Sequence, residues 1–232
     1  MSLFTSKDLN LKSWRRMPIL ICVEDSEFVR GRRRVIEEQI NGLIDKLKKE
    51  PSTMNTCDLY ISLFSDKVTS LSSNNGFTPL ADFKEKIKLT CSSNKVRLVT
   101  CLNNAYTELL AQEKDYANMQ RNEYEPVILL IGSGECTPPE DVREINPGLY
   151  TKIQNDRIAF VSLISSDNQS DISNYAYIAE NKEDSIMDIC DEPEKYFNRF
   201  FESIQMLSNS AAGRYNGVLG NSSKLINWKE LK

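Results

Sequence analysis

The chain has 232 residues, 40% of them hydrophobic, enough for one large α/β domain with a sizeable buried core. Its net charge of −4 argues against nucleic acid as the main ligand, because neutralising phosphates takes an excess of Lys and Arg on one face. There is no histidine, which removes Ser-His-Asp and Cys-His catalysis and histidine-based zinc sites together.

No apolar stretch approaches the roughly 20 residues that span a bilayer, and Met1 to Arg16 lacks the apolar core of a secretion signal. A cytoplasmic chain with no membrane partner is therefore expected. The six cysteines are widely spread and show no Cys-x-x-Cys pairing, which fits reduced core residues.

In chain order, Pro18 to Val23 is a continuous apolar run suited to a buried strand. Val35, Ile36, Ile40, Leu43, Ile44 and Leu47 then recur at helical spacing, so an amphipathic helix is expected over Arg32 to Glu50, stopped by Pro51. Cys57 to Ser65 reads as a second strand, with Lys67 to Leu71 paired to it through a tight Ser65-Asp66 turn and Ser70 to Thr78 a loop. A helix is expected from about Thr100 to Asn118, and Val127 to Ile131 forms another buried strand. Beyond Pro138 and Pro139, Glu140 to Ile145 should be a short helix, broken by Asn146-Pro147-Gly148 and resumed over Leu149 to Gln154. Ile158 to Ile164 is strand-like, Ser165 to Ser173 polar, and Tyr175 to Ala179 weakly helical. Ser185 to Cys190 is strand-like again, and Glu194 to Asn209 carries a helical aromatic stripe best read as core packing.

Strand and helix alternate, which predicts an α/β, doubly wound, mostly parallel sheet with helices on both faces. Residues 1–14 read as an N-terminal extension, 15–213 as the domain and 214–232 as a tail that docks through Leu225, Ile226 and Trp228. In such sheets the working loops lie at the carboxyl ends of the strands, so Glu24-Asp25-Ser26-Glu27-Phe28-Val29-Arg30-Gly31 and Gly132-Ser133-Gly134 should converge.

Several segments, in order, resemble the von Willebrand factor A domain, in particular its TerY type from tellurite-resistance clusters. They are Arg15 to Pro18 with the strand that follows, Gly31, Ile61 to Asp66, Pro79 to Phe83, Thr100 to Leu102 ahead of Ala105, Pro126 to Gly134, and Phe200 to Ile204. The resemblance implies a Rossmann-like fold and a divalent-cation site at the strand ends, built from an Asp-x-Ser-x-Ser run, a Thr and an Asp. Counted back from Gly31, those positions hold Glu24, Ser26, Phe28, Thr100 and Ser133. A hard cation such as Mg2+ wants about six oxygens at roughly 2.1 Å, and a phenyl ring supplies none. The site is therefore expected to be degenerate and to hold no metal or cofactor. The alternative is a Mg2+ or Mn2+ site rebuilt from Glu24, Ser26, Thr100 and waters, aided by Asp25 or Glu27.

Arg30, Arg32, Arg33 and Arg34 crowd the start of the first helix, where the macrodipole disfavours cations. The bland reading is a solvated edge; the functional one is a trap for a carboxylate or phosphate of an acidic or phosphorylated partner segment. Gly132-Ser133-Gly134-Glu135 lacks the third glycine of a dinucleotide loop. Cys136 has no histidine to activate it as a nucleophile. What the resemblance implies is a non-enzymatic adaptor of a bacterial stress-response or defence system, beside a protein kinase and a protein phosphatase. Its partner surface is expected at Glu24, Asp25, Ser26, Glu27, Arg30, Arg32, Arg33, Arg34, Thr100, Ser133 and Glu135. A different class remains open: an enzyme using Glu24, Asp25, Glu27 and Glu135 as acid and base.

Overall fold

The computed structural model describes residues 15–72, 76–121, 123–164, 173–179 and 185–209. The expected extension 1–14, the tail 214–232 and most of the polar segment 165–173 lie outside the described residues. The elements follow as β1 (Met17–Glu24), α1 (Arg33–Lys49), α2 (Pro51–Thr56), β2 (Cys57–Phe64), β3 (Val68–Ser70), β4 (Thr78–Pro79) and α3 (Leu98–Asn118). Then come β5 (Val127–Gly132), α4 (Pro147–Gln154), β6 (Ala159–Ile164), α5 (Ser173–Ile178), β7 (Ile186–Asp188) and α6 (Pro193–Asn209).

The sheet runs β3-β2-β1-β5-β6-β7. β2, β1, β5, β6 and β7 are parallel, and β3 and β4 pair antiparallel with opposite ends of β2. β1 is buried along its whole length because it has a strand on each side and a helical layer on each face. Its residues alternate between two cores. Met17, Ile19, Ile21 and Val23 face Ile36, Ile40, Phe197 and Phe200 of α1 and α6. Leu20 and Cys22 face Leu102, Ala105, Leu149 and Tyr175 of α3, α4 and α5. The doubly wound arrangement expected from the sequence is thus the observed one.

Local differences have local causes. Ser26 accepts a bond from the Phe28 N–H at 3.1 Å and starts a 3-10 turn over Glu27–Arg32, so the α-helix proper begins at Arg33. Pro51 does more than stop α1: it occupies the first position of α2, where its missing N–H costs nothing. Asn146-Pro147-Gly148, expected to break a helix, starts one, with the Asn146 side chain accepting from the Gly148 N–H at 2.8 Å. Only Val142–Glu144 of the expected Glu140 to Ile145 helix is helical, as a 3-10 turn, because Glu140 is drawn away to α3. β4, read as loop, completes the edge beside β2.

Residues 83–91 form a strap along α1. Phe83, Ile87, Leu89 and Cys91 are buried, whereas Lys84, Lys86, Lys88 and Thr90 are exposed. Side chains of α1 take up the strap's backbone groups. Asn41 accepts from the Ile87 N–H at 2.9 Å and donates to the Ile87 carbonyl at 3.0 Å, and Glu37 accepts from the Leu89 N–H at 2.7 Å. At the other end of the sheet Asp58, almost fully buried, receives Arg16 Nε at 2.9 Å, Arg16 Nη2 and the Tyr116 hydroxyl. This pins the starts of β1 and β2 to the end of α3.

Candidate functional site

Val23 on β1 pairs with Ile131 on β5, so the two strand-end loops emerge side by side. Glu24 is fully buried between them. Its carboxylate accepts from the Ser26 hydroxyl, from the Ser133 N–H at 2.7 Å, and from the Ser133 hydroxyl at 2.9 and 2.8 Å. Burial pushes the Glu24 carboxyl above its ordinary value; the Ser26 and Ser133 donors oppose this and the charge of Glu135 adds to it.

The glycines of this loop have structural explanations. A Cβ on Gly132 would lie 2.5 Å from Glu24 Oε2 and 2.6 Å from the Tyr175 hydroxyl, so only glycine lets these groups meet. Gly134 sits at φ 91°, in the left-handed region. The Tyr175 hydroxyl is fully buried, and the Gly134 backbone lies beside it without the geometry of a hydrogen bond. Among the described residues it has no hydrogen-bond partner.

The remaining expected residues do not converge on Glu24. Asp25 turns to the strap, accepting from the Thr90 N–H at 2.5 Å, the Thr90 hydroxyl at 3.0 Å and the Cys91 N–H at 2.7 Å. Arg30 donates to the Cys91 carbonyl at 3.1 and 2.9 Å, so Asp25 and Arg30 together hold Cys91 at its left-handed φ of 50°. Arg33 and Arg34 pair with Glu37 and Glu38 one turn along α1, at 3.0 and 2.7 Å. The guanidinium groups therefore point along the helix and do not gather over its N-terminus. Arg32 occupies the cap position of α1 with no side-chain cap bond. Glu27 is exposed, 3.8 Å from Arg30, and lines an open polar cleft with Asp66, Ser92, Ser93, Asn94 and Lys95. Phe28, which the resemblance is expected to place at the second serine of a cation site, is 40% exposed.

Thr100 is bound to a residue the sequence reading passed over. Its hydroxyl donates to Glu140, whose carboxylate also accepts from the Val99 N–H at 3.0 Å and the Thr100 N–H at 3.1 Å. Glu140 thereby caps α3, whose own cap residue Arg97 offers no side-chain bond. A long helix lacking Ser, Thr, Asp or Asn at its start was the available signal. Glu135 donates its N–H to the Ser133 hydroxyl at 3.2 Å. Cys136 is no activated thiol: burial, Glu140 and Asp141 push it up to about 11. Among the described residues no three His, Cys, Asp or Glu side chains are grouped as metal ligands.

No protein-family model and no curated protein matches the sequence. Solved structures do match. Proximal thread matrix protein 1 from the mussel byssus, with a zinc-occupied MIDAS motif, aligns with TM-score 0.59 at 13% identity over 84% of this chain. The chain spans only 46% of that protein's length. Manganese-loaded Plasmodium vivax TRAP aligns with TM-score 0.52 at 13% identity, over 81% of this chain and 73% of its own. A von Willebrand factor type A protein from Catenulispora acidiphila aligns with TM-score 0.51 at 12% identity, over 86% and 43%. The fold is the Rossmann-like von Willebrand factor A fold.

Proposed function

We propose that this chain is a non-enzymatic protein-binding module that engages its partner without a metal ion. The supporting observation is the Glu24 carboxylate. Being one methylene longer than aspartate, it reaches across to Ser133 and takes up the hydroxyls of both Ser26 and Ser133. Thr100 is committed to Glu140, and Phe28 brings a ring where an oxygen is needed. This donor set does not fit a hard divalent ion, which needs about six oxygens in near-octahedral order.

The partner surface is the rim of strand-end loops: residues 24–34, 99–101 and 133–139. Its exposed features are Phe28, the carboxylate of Glu27 with its polar cleft, and the ends of Arg33 and Arg34, ion-paired along α1. A kinase or phosphatase of a stress-response or defence cluster follows from the resemblance to TerY-type domains, and an acidic or phosphorylated partner segment from the arginines at the start of α1. No helix among the described residues is long and apolar enough to cross a membrane, and a cytoplasmic setting is part of the same proposal.

Metal-dependent binding is the second reading, favoured by the zinc and manganese named for two structural neighbours. Pull-down from native lysate with Mg2+ and with chelator separates the two. A partner retained equally in both supports the metal-free module. One lost in chelator overturns it.

A further inference from the structure

Cys22 on β1 and Cys101 in the first turn of α3 are both fully buried and share one neighbour. The Ser62 hydroxyl oxygen lies 3.5 Å from the Cys22 sulfur and 3.3 Å from the Cys101 sulfur. No other cysteines are placed this way among the described residues. Cys57 faces Ser208 at 3.8 Å, Cys91 lies in the strap, and half-buried Cys136 and Cys190 sit on separate loops.

We propose that Cys22 and Cys101 form a dithiol site that a hydroperoxide closes into a disulfide between β1 and α3. Hydrogen peroxide oxidises one thiol to a sulfenic acid and leaves as water. The second thiol then attacks that sulfur, forming the S–S bond and expelling the sulfenic oxygen as a second water. Two thiols lose two electrons and two protons, and one peroxide becomes two waters. Ser62 rotates aside to let the sulfurs meet.

Access is governed by the first turn of α3. Arg97 supplies no cap, and Glu140 reaches in from the loop after β5 to bond the Val99 and Thr100 amides and the Thr100 hydroxyl. Fraying of this turn uncovers Cys101, and Glu140 is the latch that holds it. The same turn carries the 99–101 part of the rim, so the disulfide would fix that stretch of the docking surface. The inference stands apart from the metal-free reading and survives its failure.

The test is peptide mapping of the purified full chain after brief exposure to hydrogen peroxide, quenching, and unfolding in an alkylating reagent. A reductant-sensitive linked pair containing Cys22 and Cys101 is expected. Glu140→Ala, which removes the acceptor of all three bonds, should speed its formation roughly fivefold, the usual effect of losing a helix cap. Alkylated Cys22 and Cys101 beside oxidised Cys136 and Cys190 would overturn the proposal, as would a linked pair that forms only after unfolding. An unchanged rate in Glu140→Ala would overturn the latch. Mapping of the unaltered chain decides the main point without any cysteine variant.

Discussion

Asp58→Ala tests how the sheet is anchored below the candidate site. In the native chain the Asp58 carboxylate takes two bonds from Arg16 and one from Tyr116, while Arg16 Nη1 donates to the Asn55 carbonyl at 2.6 Å. The side chains of Arg16 and Asp58 are only 13% and 5% exposed. Removing the carboxylate leaves a largely buried guanidinium without its counter-charge, held only by the Asn55 carbonyl, and takes the acceptor from a buried phenol. Breaking a buried pair from one side costs about 3–5 kcal/mol. At this chain length that corresponds to a fall in Tm of roughly 6–20 °C. Tyr116→Phe removes one neutral donor to a charged acceptor and should cost less, about 1.5–3 kcal/mol. The pair of variants, and the double variant, are to be measured by urea unfolding and scanning calorimetry. The double variant should fall short of the sum, because both changes act on one carboxylate. A loss below about 1 kcal/mol for Asp58→Ala, in the range of an exposed ion pair, would refute the reading of Asp58 as a buried anchor.

Other outcomes can be checked alongside. Because burial raises the folded Glu24 carboxyl above its unfolded value, the protonated form favours folding. Its contribution is fully present below about pH 4, and is lost as pH rises through the folded value. Glu24→Gln removes this dependence, so the wild-type Tm should fall relative to the variant between pH 4 and 8; a relative rise would contradict the direction. Gly42 lies inside α1, where an added Cβ meets nothing within 4 Å, so Gly42→Ala should stabilise by about 0.5–1 kcal/mol in chemical unfolding. Gly132→Ala should destabilise, because its Cβ would press on Glu24 and Tyr175, and equal Tm values would show that the loop gives way. Asp25→Ala should free the strap around Cys91, read as faster hydrogen exchange over residues 86–92 with α6 unaffected.

The architecture was legible because its determinants are local. Pro18 to Val23, Val127 to Ile131 and Ile158 to Ile164 are short apolar runs of the length and branching that suit strands of a doubly covered parallel sheet, and α1 and α6 show clear helical periodicity. The strap was not legible although Ile87, Leu89 and Cys91 alternate with Lys88 and Thr90 as in a strand, because its hydrogen-bond partners are side chains 46 to 66 residues away. The site was half legible. The two strand-end loops converge as parallel strand ends require, and Glu24 accepts there from both Ser26 and Ser133. What sequence spacing could not reveal was where long side chains would turn. Asp25 and Arg30 close on Cys91, Arg33 and Arg34 lie along their own helix, and Thr100 is taken by Glu140 across the loop after β5. Each outcome is settled by the nearest competing partner in three dimensions.

The most direct test of the proposed metal-free binding is calorimetric titration of the purified chain with Mg2+ and Mn2+, joined to thermal unfolding at millimolar metal. A ligand present at a hundred times its Kd stabilises a folded protein by about 2.7 kcal/mol. Glu24, closed on Ser26 and Ser133, should give no saturable heat and no rise in Tm. Saturable one-to-one binding that Glu24→Gln or Ser133→Ala abolishes would show that these oxygens open to a cation, and would return the metal to the centre of partner recognition.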